Sequence, residues 1–223
     1  MTGATDAPGC PLNPPLPPRA EAMSQIVIIG GPPGTGKTRL SRDLAATFAK
    51  SVHLESDQFF HFLARGYIAP WRRESDTQNH VVNTAVAKAA SVFAEGGYSV
   101  VVDGINGPWL LDHLLANLDL PIPSRVHYLI VVCDPDVAAS RIHERNDRAS
   151  ATARYGADID DEAIRFMHGQ FARIDDGYQV LDTTGLNPDA ALTQCRARLE
   201  AGQLLLRFRR EAGPVAHERR RDK

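Results

Sequence analysis

Apolar and polar positions follow two alternating patterns along this chain. Short runs rich in β-branched residues occur at residues 25–29, 51–54, 98–102, 126–133 and 180–181. Stretches with helical spacing lie between them, at residues 37–50, 58–63 and 108–118, and further helices are expected to begin at Pro135 and at Pro188. The near-continuous apolar run at 126–133 is typical of a strand that is covered on both faces. This alternation predicts an α/β fold in which crossover helices connect the strands of a parallel sheet.

The two ends of the chain differ in composition from the middle. Residues 1–22 contain six prolines and little apolar sequence, so we expect a disordered arm. Residues 208–223 are rich in arginine and have no apolar period, which predicts a flexible basic tail. One domain is therefore expected over residues 23–207. Because Met23 directly precedes the first strand-like run, a translation start at Met23 and a genuine flexible arm both remain open.

Composition narrows the class of protein only slightly. With 223 residues, of which 43% are hydrophobic, the chain can bury one sizeable core. A net charge of −2 gives no reason to expect a nucleic-acid or anionic-membrane partner. The three cysteines, Cys10, Cys133 and Cys195, lack the spacing of a zinc site or a disulfide framework, which favours a cytoplasmic location. No apolar run approaches the roughly 18 to 20 residues of a membrane span, so no anchor is expected.

The most informative motif follows the first predicted strand. The sequence from Gly31 to Thr38 fits the phosphate-binding pattern G-x-x-x-x-G-K-[ST], and a helical stretch follows it. Glycines let several backbone N–H groups approach one set of phosphate oxygens, while the lysine contacts the terminal phosphates and the hydroxyl ligates magnesium. The pattern therefore predicts binding of ATP and Mg²⁺. The predicted phosphate-binding residues are Gly31, Pro32, Pro33, Gly34, Thr35, Gly36, Lys37 and Thr38.

Acidic residues follow the second and third predicted strands. In a parallel sheet the carboxyl ends of the strands form the ligand crevice, so these acids are expected near the phosphate-binding loop. Asp57 can accept the proton of an attacking hydroxyl, although it can also cap the helix that follows; Glu55 is the reserve candidate for the base. Asp103 comes directly after an apolar strand and is the candidate for holding the metal, with a role in binding substrate or in a turn as alternatives.

Three arginines follow the fourth predicted strand. Arg141, Arg145 and Arg148 have spacings of four and three, which place them on one helix face if the helix persists. A solvated charged face would explain this spacing. The polar stretch at residues 146–160 is instead typical of a lid, and phosphoryl transfer needs cations that arrive on closure, so we favour a lid.

Taken together, these motifs resemble those of the chloramphenicol phosphotransferase-like kinases and zeta-toxin kinases, which are P-loop kinases of the AAA type. The resemblance spans residues 24–200 and includes SDQFF at 56–60, RNDR at 145–148 and DTT at 182–184. It implies a three-layer α/β/α P-loop NTPase fold with a five-stranded parallel sheet in the order 2-3-1-4-5 and an arginine-containing lid. It also implies that Asp57 is the base, that Arg145 and Arg148 stabilise charge, and that Arg141 and Thr184 lie near the nucleotide.

The activity expected from these residues is transfer of the γ-phosphoryl group of ATP to a hydroxyl of a small molecule. Two alternatives remain: an ATPase or regulatory nucleotide-binding protein, and a zeta-toxin-like kinase of nucleotide sugars. The segment at residues 67–79 has no counterpart in the resemblance. Within it, Arg72 and Arg73 are equally consistent with binding an anionic substrate and with surface charge.

Overall fold

The computed structural model describes residues 24–120, 125–148, 160–174 and 177–206, without the side chains of residues 146–148. The predicted arm, most of the predicted lid and the predicted basic tail lie outside these residues. The strands are β1 (Gln25–Gly30), β2 (Ser51–Glu55), β3 (Ser99–Gly104), β4 (Arg125–Val132) and β5 (Val180–Asp182). The α-helices are α1 (Lys37–Ala45), α2 (Ser56–Phe60), α3 (Asp76–Glu95), α4 (Pro108–Ala116), α5 (Pro135–Arg148), α6 (Asp161–Phe171) and α7 (Pro188–Glu200). A short 3-10 turn at Arg73–Ser75 precedes α3.

The five strands form one parallel sheet in the order β2-β3-β1-β4-β5. This confirms the predicted fold class and strand order. β1 lies at the centre of the sheet, between β3 and β4, so the loop that follows β1 leaves the sheet in the crevice between its two halves. Leu205 adds a short antiparallel bridge to His127 beside the first half of β4.

Alternate residues of each strand point to opposite faces of the sheet, and helices cover and bury both faces. On one face Ile26, Ile28, Val100 and Val102 pack with residues of α3 and α4 such as Val86, Ala90, Leu111 and Leu114. On the other face Val27, Ile29, Leu129 and Val131 pack with Leu40 and Leu44 of α1 and Cys195 of α7. The molecule is therefore the three-layer α/β/α structure that was expected.

The helix predicted at residues 37–50 ends earlier, at Ala45. Thr47 Oγ1 donates to the carbonyl of Leu44 and Ser51 Oγ donates to the carbonyl of Ala45, so side-chain hydroxyls occupy carbonyls that a longer helix would use. Two helices, α3 and α6, were not predicted. Among the described residues, no helix is long and apolar enough to cross a membrane.

Candidate active site

The phosphate loop, residues 31–38, connects β1 to α1. Gly36 caps α1 with φ of 83°, and Gly34 has φ of 79°. A Cβ atom at Gly34 would lie 2.7 Å from the carbonyl oxygen of Ala138 in α5. Glycine is therefore required at position 34 both for backbone conformation and for the close approach of α5.

Hydrogen bonds hold the loop in this shape from both sides. Thr35 Oγ1 donates to the carbonyl of Pro32 at 3.1 Å, and the buried Lys37 ammonium donates to the same carbonyl at 3.3 Å. From the end of β5, Thr183 Oγ1 donates to the carbonyl of Thr35 at 2.8 Å. Lys37 is thus positioned at the loop before any phosphate is bound.

Asp103, at the end of β3, is fully buried and joins two other parts of the site. Its Oδ2 accepts a hydrogen bond from Thr38 Oγ1 at 2.6 Å, and its Oδ1 lies 2.6 Å from Nε2 of His53 on β2. Because the Thr38 hydroxyl donates its hydrogen to Asp103, the lone pairs of the hydroxyl oxygen remain available for a cation. The chemistry of Thr38 and Asp103 therefore fits Mg²⁺: Thr38 would be the direct ligand, and Asp103 would act through it or through water.

Asp57 is the second residue of α2, and Glu55 occupies the N-cap position. The alternative in which Asp57 caps this helix is therefore wrong. Burial raises the pKa of the Asp57 carboxyl; the Lys37 ammonium opposes the shift, and the carboxylates of Asp103 and Glu55 add to it. A carboxylate with a raised pKa is a better proton acceptor, and Asp57 lines the same cleft as the phosphate loop.

The helix that carries the arginines persists to Arg148, as the spacing argument required. Arg141 lies against the phosphate loop: its Nη2 donates to the carbonyl of Thr183 at 2.9 Å, and its Nη1 is 3.5 Å from the carbonyl oxygen of Gly34. Arg145 is exposed and lines the cleft. The side chain of Arg148 and the lid residues 149–159 lie outside the described part of the chain.

Thr184 lies at the turn that follows β5. Its hydroxyl donates to Asp182 at 2.6 Å and accepts from the backbone N–H of Asp134 at 2.9 Å. The side-chain and backbone hydrogen bonds from Thr184 lower the pKa of the Asp182 carboxyl. This turn also lies beside Arg141, so the two residues expected near the nucleotide are brought together at one end of the phosphate loop.

A cleft of about 660 Å³ opens beside the phosphate loop. Its charged lining residues are Lys37, Glu55, Asp57, Arg72, Arg73, Asp76 and Arg145. Its aromatic lining residues are Phe60, Tyr67, Trp71, Trp109, Phe166 and Phe171. The volume is that of a pocket for a drug-sized molecule, with a largely apolar wall and a few polar groups. Arg72 and Arg73 both line this cleft and both are exposed.

Several residues of the site were not anticipated from the sequence. His53 contacts Asp103 from the neighbouring strand, and the buried His168 of α6 lies 2.9 Å through its Nε2 from the carbonyl oxygen of Pro33. Asn106, after β3, lines the cleft. The only sequence signal for them was a polar residue in or near an apolar element, which does not reveal its partner.

Comparison with known proteins places this geometry in a wider context. The structure is similar to those of a sugar kinase from Janibacter sp. HTCC2649 (16% identity, 79% of this chain and 95% of that chain covered, TM-score 0.58) and a tunicamycin resistance protein from Deinococcus radiodurans (19%, 79% and 95%, TM-score 0.54). It is also similar to a gluconokinase from Sinorhizobium meliloti 1021 (13%, 80% and 93%, TM-score 0.56).

These similarities show a P-loop kinase-like fold. A search among curated proteins found no significant match. The family model described as an AAA domain matches residues 26–174, which is more than half of the chain. The chain therefore belongs to the AAA domain family.

Proposed function

We propose that this protein is an ATP-dependent phosphotransferase that transfers the γ-phosphoryl group of ATP to an alcohol group of a small molecule. The observation that carries this proposal is that one cleft is lined by Lys37 and Thr38 of the phosphate loop and by Asp57, a carboxyl whose pKa is raised. Two of the similar structures are named as a sugar kinase and a gluconokinase, which are kinases of small hydroxylated molecules.

In this proposal ATP is held by the backbone of residues 31–38 and by Lys37, with Arg141 and Thr184 at the nucleoside end. Gly34 and Gly36 have the positive φ angles that let the loop backbone wrap around phosphate oxygens. Thr38 would hold Mg²⁺ directly, and Asp103 would hold it through Thr38 or through water. When bound, the metal neutralises charge on the phosphates.

The reaction is an in-line displacement at phosphorus. The acceptor oxygen forms a bond to the γ-phosphorus of ATP while the bond to the bridging oxygen breaks, and ADP leaves with that oxygen. Asp57 orients the acceptor hydroxyl and takes its proton. Lys37, Arg145 and Arg148 stabilise the negative charge that accumulates on the transferred group.

The replacement Asp57→Asn tests the assignment of the base. It keeps the shape of the side chain but removes the proton acceptor, so acceptor-dependent ADP release should fall by about 10² to 10⁴-fold. ATP affinity should stay within about twofold, since in the proposal Asp57 contacts the acceptor hydroxyl and not ATP. In the wild type, activity should decline as the pH falls through the raised pKa of Asp57, because only the ionised carboxylate accepts a proton.

Two further variants serve as controls for this test. Lys37→Ala should lose both ATP affinity and rate, because Lys37 contacts the phosphates in the proposal. Glu55→Gln removes the neighbouring carboxylate and should retain activity. Full activity of Asp57→Asn would remove Asp57 from the role of base. If Glu55→Gln then lost activity, the role would pass to Glu55.

A second candidate is a kinase of an anionic acceptor such as a nucleotide sugar. The observation in its favour is that Arg72, Arg73 and Arg145 all line the cleft. A charge reversal, Arg72→Glu combined with Arg73→Glu, separates the candidates. The double variant should raise the KM of an anionic acceptor much more than that of a neutral one. An equal effect on both would show that these arginines do not recognise the charge of the acceptor.

A further inference from the structure

Asn106 is a buried amide on the wall of the cleft. It follows β3 and precedes α4, and its exposed fraction is 2%. Its Nδ2 has no hydrogen-bond partner among the described residues, and Asn106 lines the cleft. A buried amide donor without a partner is unfavourable and is uncommon in folded proteins, so its retention calls for a partner that arrives from outside.

The backbone at Asn106 is held firmly. Its carbonyl accepts a hydrogen bond of 2.7 Å from the hydroxyl of Tyr128 on β4. A Cβ atom at Gly30, the last residue of β1, would collide with the same carbonyl, which shows how closely this segment packs under the start of the phosphate loop. The amide without a described partner therefore belongs to an ordered part of the cleft wall.

A second amide of the cleft, that of Asn79, has a hydrogen-bond acceptor without a described partner. Asn79, on α3, donates through Nδ2 to the carbonyl of Pro70 at 2.8 Å and to Ser75 Oγ at 3.0 Å. These bonds fix the orientation of the amide, because the reversed orientation would place its oxygen against a carbonyl. Its Oδ1 is then the buried atom that lacks a partner within the described ranges. Asn79 also lines the cleft.

We propose that Asn106 and Asn79 select the acceptor, a role that rests on the proposed kinase function. The molecule that is phosphorylated carries a hydroxyl or carbonyl oxygen that accepts a hydrogen bond from Asn106 Nδ2. It also carries a separate O–H or N–H group that donates a hydrogen bond to Asn79 Oδ1. Both groups are uncharged, since a primary amide matches neutral partners, and both differ from the hydroxyl that reacts beside Asp57. A site with such buried polar groups rejects analogues that lack the matching group, because the amide is then left unpaired.

The first arm of the test needs no acceptor. Asn106→Leu replaces the amide by an apolar group of similar shape, and Asn83→Leu is its matched control. Asn83 is also buried in this cleft, but its Nδ2 donates to the carbonyl of Asn79 at 2.8 Å. Urea unfolding should give an unchanged or higher midpoint for Asn106→Leu and a lower midpoint for Asn83→Leu. Equal losses in the two variants would show that the Asn106 amide is structural and would overturn the proposal.

The second arm measures acceptor-dependent ADP release with D-gluconate, N-acetyl-D-glucosamine, UDP-N-acetylglucosamine and tunicamycin. For a compound that is phosphorylated, Asn106→Leu should raise its KM about tenfold or more and leave the KM of ATP within about twofold. A deoxy analogue that lacks the oxygen proposed to accept a hydrogen bond from Asn106 should bind the wild type less tightly than the parent compound does. The two compounds should bind Asn106→Leu equally.

The outcomes of this arm separate the two proposals. An unchanged KM for the acceptor in Asn106→Leu would overturn the role of Asn106 while leaving the kinase intact. Absence of turnover with every compound, in wild type and variant alike, would count against the proposed kinase function, and the urea comparison would then decide whether the amide is kept for a ligand.

Discussion

At the scale of single residues, the contact between His53 and Asp103 has a consequence for the metal site. Asp103 is fully buried, and His53 holds one of its oxygens at 2.6 Å while Thr38 occupies the other. His53 contacts neither phosphate nor metal in the proposed reaction, so it is a positioning residue. Removing it would leave Asp103 free to rotate and Thr38 without a fixed partner.

The replacement His53→Leu should therefore weaken binding of ATP in the presence of Mg²⁺ by about 10 to 100-fold. Binding of ATP in EDTA should be unaffected, because the phosphate loop itself is intact. His53→Gln, whose amide can donate from nearly the position of Nε2, should restore most of the magnesium-dependent affinity. Titration with a fluorescent ATP analogue measures each protein with and without magnesium, and an equal loss in the two conditions would contradict the positioning role.

The residues that the sequence alone could identify are those within one contiguous motif. Lys37 and Thr38 could be predicted because strand, glycine loop and helix follow one another in the chain, and the structure has these elements in that order. His53 and Asn106 contact partners that are far away in sequence, Asp103 and Tyr128 respectively, and no local pattern encodes those contacts. Asp57 lies between these cases: the sequence offered it as a candidate, whereas the surroundings that raise the pKa of its carboxyl are seen only in the structure.

At the scale of elements, the phosphate loop depends on how closely α5 approaches it. A methyl group at position 34 would meet Ala138 at 2.7 to 2.8 Å, and the φ of 79° is unfavourable for any residue with a Cβ atom. Gly34→Ala should therefore displace the loop or α5, destabilise the protein by about 1 to 3 kcal/mol and abolish ATP binding. Thermal unfolding with and without magnesium and ATP measures both effects.

A second glycine provides the control for that prediction. A Cβ atom at Gly169, in α6, would meet nothing within 4 Å. Because glycine is unfavourable inside a helix, Gly169→Ala should stabilise the protein by about 0.5 to 1 kcal/mol and leave ATP binding unchanged. Similar behaviour of the two alanine variants would show that the packing against α5 does not determine the shape of the loop.

The two helices that were missed, α3 and α6, carry signals in hindsight. In α3 the buried positions Val82, Val86, Ala90 and Ala94 recur every four residues, but the polar first turn resembles a loop. In α6 the side chain of Asp160 caps the helix by accepting from the backbone N–H of Ala163 at 2.8 Å. Both helices form walls of the cleft, where polar residues interrupt the apolar period, so periodicity is weakest at the elements that build the site.

At the scale of the whole molecule, the strand order explains why distant segments meet. β1 lies between β3 and β4, and β3 pairs with β2, so the carboxyl ends of three neighbouring strands present the phosphate loop, Asp103 and Asp57 at one edge of the sheet. The alternation of strands and helices, together with the family resemblance, was enough to predict this arrangement. The shape and polarity of the cleft depend on the side chains that α3, α4 and α6 contribute to its lining. That shape and polarity could be seen only in the structure.

The stability of the whole domain should depend on pH through His127. This residue lies on β4 with 3% of its surface exposed, and neither ring nitrogen has a hydrogen-bond partner in the described part of the chain. Burial lowers the pKa of His127 to about 4, with a further contribution from Arg125. The imidazole of His127 therefore binds a proton below about pH 6.5 in the unfolded chain but only below about pH 4 in the folded chain. The free energy of unfolding consequently falls as the pH falls through this window.

From pH 7.5 to pH 5, His127 should account for a loss of about 2 kcal/mol in the free energy of unfolding. His127→Leu fills the same buried position without a titratable group, so its unfolding free energy should fall by about that much less over the same interval. It should also be at least as stable as the wild type at pH 7.5, since no hydrogen bond of the ring to a described residue is lost. Urea unfolding of both proteins at the two pH values measures the difference, and parallel pH profiles would mean that His127 has a partner that stabilises its charged form in the folded protein.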